Sequence, residues 1–142
     1  MKVFIDTNIF IDFIAARQPF AKEAAIIFQL ADNKEIDLLL SDLTIINTIY
    51  ILQRLHYPID EIIDTIEELR PLLTITSVGV SVIDRCLQRR GNDFEDEVQY
   101  FSAIDAGADF IVTRNKKDYD FGDDSVITPS EFLIRMNITA KE

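Results

Sequence analysis

The sequence predicts an α/β fold: a three-layer α/β/α domain around a mainly parallel central sheet of about five strands. Five short apolar runs are continuous rather than alternating, which is typical of strands buried on both faces. One or two helical patterns separate each run from the next, as crossovers between parallel strands require. The predicted strands cover residues 2–5, 36–40, 73–77, 109–113 and 125–128.

Helical patterns occupy the intervals between these strands. A first helix begins around Asp6-Thr7-Asn8, where apolar residues resume at once. The later helices are "FAKEAAIIFQLADN", "SDLTIINTIYILQRLH", "DEIIDTIEELR", "GVSVIDRCLQRR", "DFEDEVQYFSAIDAGA" and "PSEFLIRMN". Ser41 and Asp42 are cap-type residues at a helix start, Gly107 is a helix stop, and Pro129 lies near the start of the last helix.

Length and composition limit the type of protein. A chain of 142 residues fits one domain, which we expect to span residues 1–142. A domain of this size buries roughly 68–70% of the surface that its unfolded chain exposes, so it needs no disulfide or structural metal to fold. The single cysteine, Cys86, excludes an intramolecular disulfide, and its helical spacing favours a buried filler over a reactive thiol. The sequence shows no signal peptide and no apolar stretch of ~18 residues, so we expect a cytoplasmic protein with no membrane contact.

The charge balance argues against a nucleic-acid binder that works through a general positive field. The chain has 14 Lys and Arg against 25 Asp and Glu, a net charge of −11. Binding to nucleic acid is compatible with this balance only if cations sit at the site or if the basic residues cluster locally.

Acidic residues lie where a parallel sheet places its ligands. Asp6 follows the first strand, and ligands of such sheets bind outside the carboxyl ends of the strands. Asp93 and Asp96 open the helix before the fourth strand at a spacing of i to i+3, so both can look out from one helix end. Thr113, Asn115 and Asp118 leave the carboxyl end of the fourth strand. We expect all of these side chains to share one crevice.

A cluster of carboxylates predicts a bound cation. Two carboxylates ~4 Å apart repel by about 4 kcal/mol at an effective dielectric constant of ~20, so a cluster takes up protons or holds a cation. Oxygen ligands suit Mg²⁺ or Mn²⁺, which would activate water and neutralise charge on a phosphodiester. The alternatives are structural: Asp93 and Asn8 are also typical helix caps, and Asp118 is an ordinary loop residue. Asp6 is the hardest to dismiss, because a buried carboxylate needs a partner.

Four segments resemble the PIN domain family: "FIDTNIFID", "SDLTIINTIYIL", "DFEDEVQYFSAIDAGADFIVTRNKKDY" and "VITPSEFL". The resemblance extends from residue 2 to about residue 133, and its long third segment is the specific part. It implies an α/β fold around a parallel sheet and an Mg²⁺/Mn²⁺-dependent ribonuclease. It also implies a VapC-like toxin, usually dimeric and inhibited by a VapB antitoxin.

The resemblance assigns roles to individual residues. It places Asp6 in the first acidic motif and Asp96 in the third, with Asp93 as a further acidic candidate. The fourth motif falls on Thr113, Asn115 and Asp118, where Asn115 stands in place of an aspartate found in many members and Asp118 shares or assumes its role.

One position departs from the family pattern. The second motif, a glutamate in the family, falls on Asn47, whose amide brings no charge. A ligand role for Asn47 and a role as a hydrogen-bonded residue in a buried helix are about equally supported.

Two basic clusters are candidates for phosphate contact. Arg114, Lys116 and Lys117 flank the fourth motif, and we favour contact with RNA for this cluster. For Arg85, Arg89 and Arg90, phosphate contact and an ordinary basic helix end are equally supported. The apolar faces of the segments "AKEAAIIFQLA" and "IINTIYIL" are core or dimer interface, which the sequence does not separate.

These observations and the resemblance predict a metal-dependent endoribonuclease, the toxin of a VapBC-type pair. Asp6, Asp96 and Asp118 hold the metal, and Asp93 and Asn115 assist. The first alternative is an inactive PIN-fold module that binds RNA or a protein partner, which Asn47 and Asn115 favour. The second is a phosphotransfer enzyme phosphorylated on Asp6; such enzymes need an aspartate two residues later, where this chain has Asn8.

Overall fold

The computed structural model describes residues 1–119 and 121–138. Its sheet contains five parallel strands in the order β3-β2-β1-β4-β5, which confirms the predicted parallel architecture. The strands are β1 Lys2–Ile5, β2 Asp37–Ser41, β3 Leu73–Thr76, β4 Phe110–Val112 and β5 Val126–Ile127. The single domain expected over residues 1–142 includes residues 120 and 139–142, which lie outside the described part.

Seven α-helices connect the strands in the described part of the chain. They are α1 Thr7–Ile14, α2 Ala21–Asp32, α3 Asp42–Arg54, α4 Ile59–Leu69, α5 Gly79–Arg89, α6 Phe94–Asp105 and α7 Pro129–Arg135. Short 3₁₀ turns at Arg70–Leu72 and Lys116–Asp118 precede β3 and follow β4. Each strand and α-helix matches a predicted one, with ends that differ by at most three residues.

The strand ends differ from the predicted ones because pairing, rather than apolarity, defines them. β2 begins at Asp37, which pairs with Lys2 of β1, and it extends to Ser41, which pairs with Thr76 of β3. Ile36 is buried but precedes the ladder. An apolar run shows where a chain is buried and carries no information about where its hydrogen-bonded neighbour ends.

Helices cover both faces of the sheet, which confirms the three layers. Successive strand residues point to opposite faces, so Val3 and Ile5 pack in the cluster that includes residues of α1, α2 and α7. Phe4 faces the other way and packs against Ala103 of α6. The α5 residues Val82 and Cys86 pack against α6. Cys86 is buried there, as a filler side chain should be.

The order of the strands creates a crevice at the carboxyl ends of the central strands. β1 lies between β2 and β4, so the strand order reverses beside β1, and a cleft opens at the carboxyl ends of β1 and β4. The chain leaves β1 at Asp6, whose backbone N–H donates to the carbonyl of Val112 in β4 at 3.0 Å. Within the described residues, no helix has the length and apolar character needed to cross a membrane.

Candidate active site

Asp6 joins β1 to α1 at the centre of the crevice. It is the N-cap of α1, where its carboxylate accepts from the Thr7 backbone N–H at 2.7 Å and from the Thr113 hydroxyl at 2.9 Å. Only 5% of Asp6 is exposed, and this burial raises its pKa despite the two hydrogen bonds. None of the ion pairs within the described residues involves Asp6. The carboxylate is therefore held by neutral donors, with its charge uncompensated.

Asp93 and Asp96 bring two further carboxylates to this crevice from the start of α6. Asp93 is the N-cap of the helix, and its carboxylate accepts from the Asp96 backbone N–H at 3.0 Å. This is the capping role that the sequence offered as the alternative to a functional one. Burial, together with the negative charges of Asp6, Asp93 and Asp118, raises the pKa of Asp96 to about 7. These charges act on Asp96 because Asp6, Asp93 and Asp118 lie near it, so the structure brings the predicted acidic residues into one region.

Glu95 is a fifth carboxylate of the crevice, and the sequence analysis missed it. Its carboxylate accepts from the Asn47 amide at 2.9 Å. Burial raises the pKa of Glu95, as do the nearby charges of Asp6 and Asp93. A helix turns about 100° per residue, so two adjacent side chains such as Glu95 and Asp96 are not expected to serve one site. The Glu95 carboxylate is held by its contact with Asn47 on α3, which spacing along α6 gives no sign of.

The structure places the neutral candidates in different roles. Asn47 is half-buried and hydrogen-bonded, but its partner is a carboxylate of the crevice rather than a group inside the core. Thr113 is buried: its hydroxyl donates to Asp6 and accepts from the backbone N–H of Asn115 at 3.1 Å. Asn115 itself is exposed. Asp6, not Asn8, caps α1, and the side-chain carbonyl oxygen of Asn8 is buried without a hydrogen-bond partner.

Tyr119 adds a buried phenol that the sequence analysis also missed. The residue is 4% exposed, and burial together with the charges of Asp6, Asp96 and Glu95 holds its pKa well above the usual value. The phenol is close enough to Asp6 to lower that carboxyl's pKa. Its oxygen nevertheless meets no partner at hydrogen-bond geometry. Tyr119 therefore places a buried phenol beside the Asp6 carboxylate.

A buried polar network fixes the elements that carry these groups. The Gln99 side chain on α6 accepts from the Ser41 hydroxyl at 2.7 Å and donates to the hydroxyls of Thr44 at 2.9 Å and Thr7 at 3.2 Å. The hydroxyls of Thr7 and Thr44 also contact each other at 2.9 Å. Thr7 follows Asp6, and Gln99 lies one turn beyond Asp96, so the network holds α1, α3 and α6 in one arrangement around the crevice.

A polar cleft of about 510 Å³ adjoins the aspartates. The residues that line it include Asp93 and Asp118, the cations Arg89 and Lys117, and Phe121. A cleft with both cations and carboxylates can accept a phosphate chain on one side and a divalent cation on the other.

Most of the predicted phosphate-binding cations are already engaged. Arg114 donates to the fully buried Asp12 at 2.6 Å, and its guanidinium lies 3.8 Å from the centre of the Phe20 ring. Lys116 pairs with Glu131 at 3.0 Å. In the other cluster, Arg85 pairs with Asp105, and Arg89 pairs with Glu97 at 2.6 Å. Arg90 ends α5 in the left-handed conformation, with φ of 52°. Lys117 and Arg89 are the two cations placed in the cleft.

The donor chemistry of the crevice fits a hard divalent cation. Carboxylate oxygens are the ligands that Mg²⁺ and Mn²⁺ prefer, and the raised pKa of Asp96 reflects negative charge that a cation would neutralise. The unpaired Tyr119 hydroxyl is a further polar group beside these carboxylates. Among the described residues, however, no three His, Cys, Asp or Glu side chains form a group ready to hold a metal ion.

The fold and the crevice together define a class: an all-parallel α/β domain with aspartates collected where the strand order reverses. The sequence model of the PIN domain matches residues 2–117, and the chain belongs to the PIN domain family. This match confirms the resemblance found in the sequence. A comparison with curated protein sequences gives no match.

Solved structures share the fold at low sequence identity. A toxin–antitoxin complex from Klebsiella pneumoniae contains a chain that is 22% identical, with a TM-score of 0.66; the match covers 89% of this chain and 97% of that one. VapC20 of Mycobacterium tuberculosis, a toxin that cleaves the sarcin–ricin loop, is 15% identical, with a TM-score of 0.60 over 77% of this chain and 86% of that one. PAE2754 of Pyrobaculum aerophilum is 16% identical, with a TM-score of 0.63 over 96% of this chain and 90% of that one. Identities this low establish a common fold.

Proposed function

We propose that this PIN-domain protein is a metal-dependent endoribonuclease that hydrolyses RNA phosphodiester bonds. The observation that carries the proposal is the position of Asp96, whose carboxyl faces Asp6, Asp93 and Asp118 and has a pKa of about 7. Carboxylates that repel one another at a sheet edge are unfavourable unless the site uses them. A similar fold in a toxin that cleaves RNA supports RNA as the substrate class.

The proposal gives each residue a role. Asp6, Asp96 and Asp118 hold Mg²⁺ or Mn²⁺, and Asp93 supports them from the N-cap of α6. Thr113 orients Asp6 through its hydroxyl, while Asn47 and Asn115 are neutral neighbours. When bound, the cation activates water and neutralises charge on the phosphodiester. Lys117 and Arg89 bind phosphates of the RNA from the side of the cleft.

We also propose two protein partners: a second copy of the chain, and a VapB-like antitoxin that would make this protein the toxin of a VapBC-type pair. Support comes from α3, where Ile46 is 64% and Tyr50 is 59% exposed. The apolar face of α2, by contrast, is packed in the core through Ala24, Ile27 and Phe28. Of the two apolar helix faces noted in the sequence, α3 is therefore the one available to a partner.

The test of the nuclease is cleavage of a mixed-sequence RNA by the purified protein with Mn²⁺ and with EDTA. Asp96→Asn should abolish the cleavage, because the variant loses a ligand of the cation. Asp64→Asn on α4 is the matched control: it removes the same charge from an exposed position and should cleave like the wild type. Cleavage that persists in EDTA, or that Asp96→Asn retains, would contradict the proposal.

The second candidate is a PIN module that binds RNA or a protein partner without cleaving RNA. One observation favours it: within the described part, the acidic side chains form no group ready to hold a metal. A folded wild type that binds RNA but leaves several RNAs intact with Mn²⁺ would support this candidate. Phosphotransfer through Asp6 has less support, because both oxygens of this buried carboxylate already accept hydrogen bonds.

A further inference from the structure

Phe121 belongs to a stack of aromatic rings beside the polar cleft. Its ring lies parallel to that of Tyr100 on α6, with the ring centres 4.0 Å apart and an angle of 7° between the planes. The Tyr100 hydroxyl donates to the Asp123 carboxylate at 2.6 Å, and that carboxylate also accepts from the backbone N–H of Ser125 at 2.8 Å. Tyr100 is therefore anchored both through its helix and through its hydroxyl, and it gives Phe121 a fixed support.

The guanidinium of Arg89 restrains the same ring from α5. It lies 5.3 Å from the centre of the Phe121 ring and 5.4 Å from that of Phe101, and its Nε donates to the Glu97 carboxylate at 2.6 Å. Glu97 is buried and packs against Gly91, where a β-carbon would collide with the carboxylate. A cation held over aromatic faces attracts the rings, so Arg89 helps to keep Phe121 in place.

Part of the Phe121 ring is open to the cleft. The residue is half-buried and lines the cleft of about 510 Å³, a volume in the range of sites that bind small molecules. Because Tyr100 covers one face, the accessible part of the ring belongs to its other face and its edge. A fixed and accessible aromatic surface in a cleft is the arrangement on which flat ligands stack.

The charges of the cleft favour a neutral group beside this ring. The described residues that line it include three carboxylates and two cations: Asp93, Glu97, Asp118, Arg89 and Lys117. Arg89 and Glu97 form an ion pair with each other, which leaves Lys117 against two carboxylates. A phosphate can lie beside the cations, but these residues give no surplus of positive charge for a second one. A nucleobase is flat, uncharged and polar at its edge, so it suits the rest of the cleft.

We propose that this cleft binds one unstacked nucleobase of single-stranded RNA, with Phe121 as the surface on which the base stacks. Asp93 and Asp118 line the cleft, so the base belongs to a nucleotide next to the phosphate that meets the aspartates. The choice of RNA rests on the proposed function. The proposal narrows the substrate to single strands, because the bases of a duplex are already stacked and paired.

Affinity for a short oligouridylate and for the abasic sugar–phosphate chain of the same length tests the proposal apart from cleavage. The two probes carry the same phosphates, so a difference in affinity at one salt concentration reports contacts with the bases. The measurement is made in Ca²⁺, which also takes oxygen ligands. The wild type should bind the oligouridylate about tenfold more tightly than the abasic chain.

Substitutions at Phe121 assign this preference to one ring. Phe121→Leu should remove most of it, because leucine keeps an apolar contact with Tyr100 but offers no aromatic face. Phe121→Tyr keeps the ring and should retain the preference. Tyr57→Leu is the matched control, since it removes an exposed ring between α3 and α4 and should behave like the wild type. Thermal unfolding of each variant ensures that only folded proteins are compared.

Photocrosslinking locates the base directly. With 5-iodouridine in the oligonucleotide, light joins the base to an aromatic ring that it touches, and mass spectrometry identifies the attached peptide. That peptide should contain Phe121.

Three results would overturn the inference. Equal affinity of the wild type for the two probes would show that no base is bound. The full preference in a folded Phe121→Leu, or a crosslink to a peptide without Phe121, would place the base elsewhere. A wild type that cleaves RNA without distinguishing the probes would remove the stacking site and leave the nuclease. A wild type that prefers the oligouridylate through Phe121 but cleaves no RNA would leave the stacking site and remove the nuclease.

Discussion

Individual charged residues of the crevice lower the stability of the folded state. Asp6 is buried and is stabilised only by neutral donors, and Asp96 faces three other aspartates. Such groups lower the free energy of unfolding unless protons or cations neutralise them. A site that needs negative charge to hold a cation is therefore less stable when the cation is absent.

This cost predicts how Asp96→Asn changes stability with pH. The folded protein raises the pKa of Asp96 from 3.8 to about 7, so it binds this proton more tightly than the unfolded chain does. The stabilisation from that proton is complete below pH 3.8 and is lost as the pH rises through 7. With solvent screening of a half-buried group, Asp96→Asn should stabilise the metal-free protein at pH 8 by about 1 kcal/mol, or about 2–4 °C.

Thermal unfolding in EDTA at several pH values measures this effect. Asp96→Asn should match the wild type near pH 4 and exceed it above pH 7. Asp64→Asn, which removes an exposed charge from α4, should follow the wild type throughout. An Asp96→Asn variant that is no more stable at pH 8 than at pH 4, relative to the wild type, would show that Asp96 is not surrounded by negative charge.

Two of the three cations beside the fourth motif, Arg114 and Lys117, should have different roles, one structural and one functional. Asp12 is fully buried and pairs with Arg114 and Arg17. Arg114→Ala leaves it with Arg17 alone, so the free energy of unfolding in urea should fall by about 2 kcal/mol. Lys117→Ala should leave stability unchanged, because Lys117 is exposed in the cleft.

The same two substitutions should affect RNA binding in the opposite order. Lys117→Ala should weaken RNA binding and make the slope of affinity against salt shallower by about 0.7, the value for one phosphate contact on a single strand. Arg114→Ala, measured where it is fully folded, should keep the wild-type slope. A reduced slope in Arg114→Ala would mean that Arg114 leaves Asp12 to bind RNA.

At the scale of elements, one glutamine holds three helices around the crevice. The hydrogen bonds of Gln99 to Ser41, Thr44 and Thr7 lie in the buried interior, where each unmade bond leaves a polar group without a partner. Gln99→Leu keeps a similar volume and removes all three bonds. We expect the free energy of unfolding to fall by about 2–4 kcal/mol.

Ser102 provides the matched control on the same helix. It is also buried, but its hydroxyl has no hydrogen-bond partner. Ser102→Ala should therefore stay within about 0.5 kcal/mol of the wild type, because it removes no interaction. Equal losses in the two variants would mean that packing, and not the hydrogen-bond network, gives Gln99 its role.

The strands, the helices and the grouping of the aspartates could be predicted from the sequence for physical reasons. Buried parallel strands read as continuous apolar runs, and the carboxyl ends of such strands meet at one edge, so the grouping of Asp6 with Asp118 follows from order alone. Glu95 and Tyr119 could not be found this way, because tertiary contacts place them near the aspartates. The partner of Arg114 could not be predicted for the same reason, since Asp12 is 102 residues away in the chain.

At the scale of the whole molecule, the net charge of −11 opposes contact with RNA. The structure concentrates part of this negative charge in the crevice and places Arg89 and Lys117 beside it in the cleft. A divalent cation would bring positive charge to the point where the phosphate must approach. A bound cation, together with Arg89 and Lys117, would therefore make the acidic composition compatible with the proposed RNA substrate.

The ends of the RNA fragments test this central claim most directly. If the carboxylates hold a cation that supports attack by water, digestion with Mn²⁺ should give linear phosphate and hydroxyl ends, and digestion in EDTA should give no fragments. Fragments that end in a 2′,3′-cyclic phosphate, or that form equally in EDTA, would contradict the account, because the attacking group would then be the RNA's own hydroxyl and the acidic crevice would have another purpose.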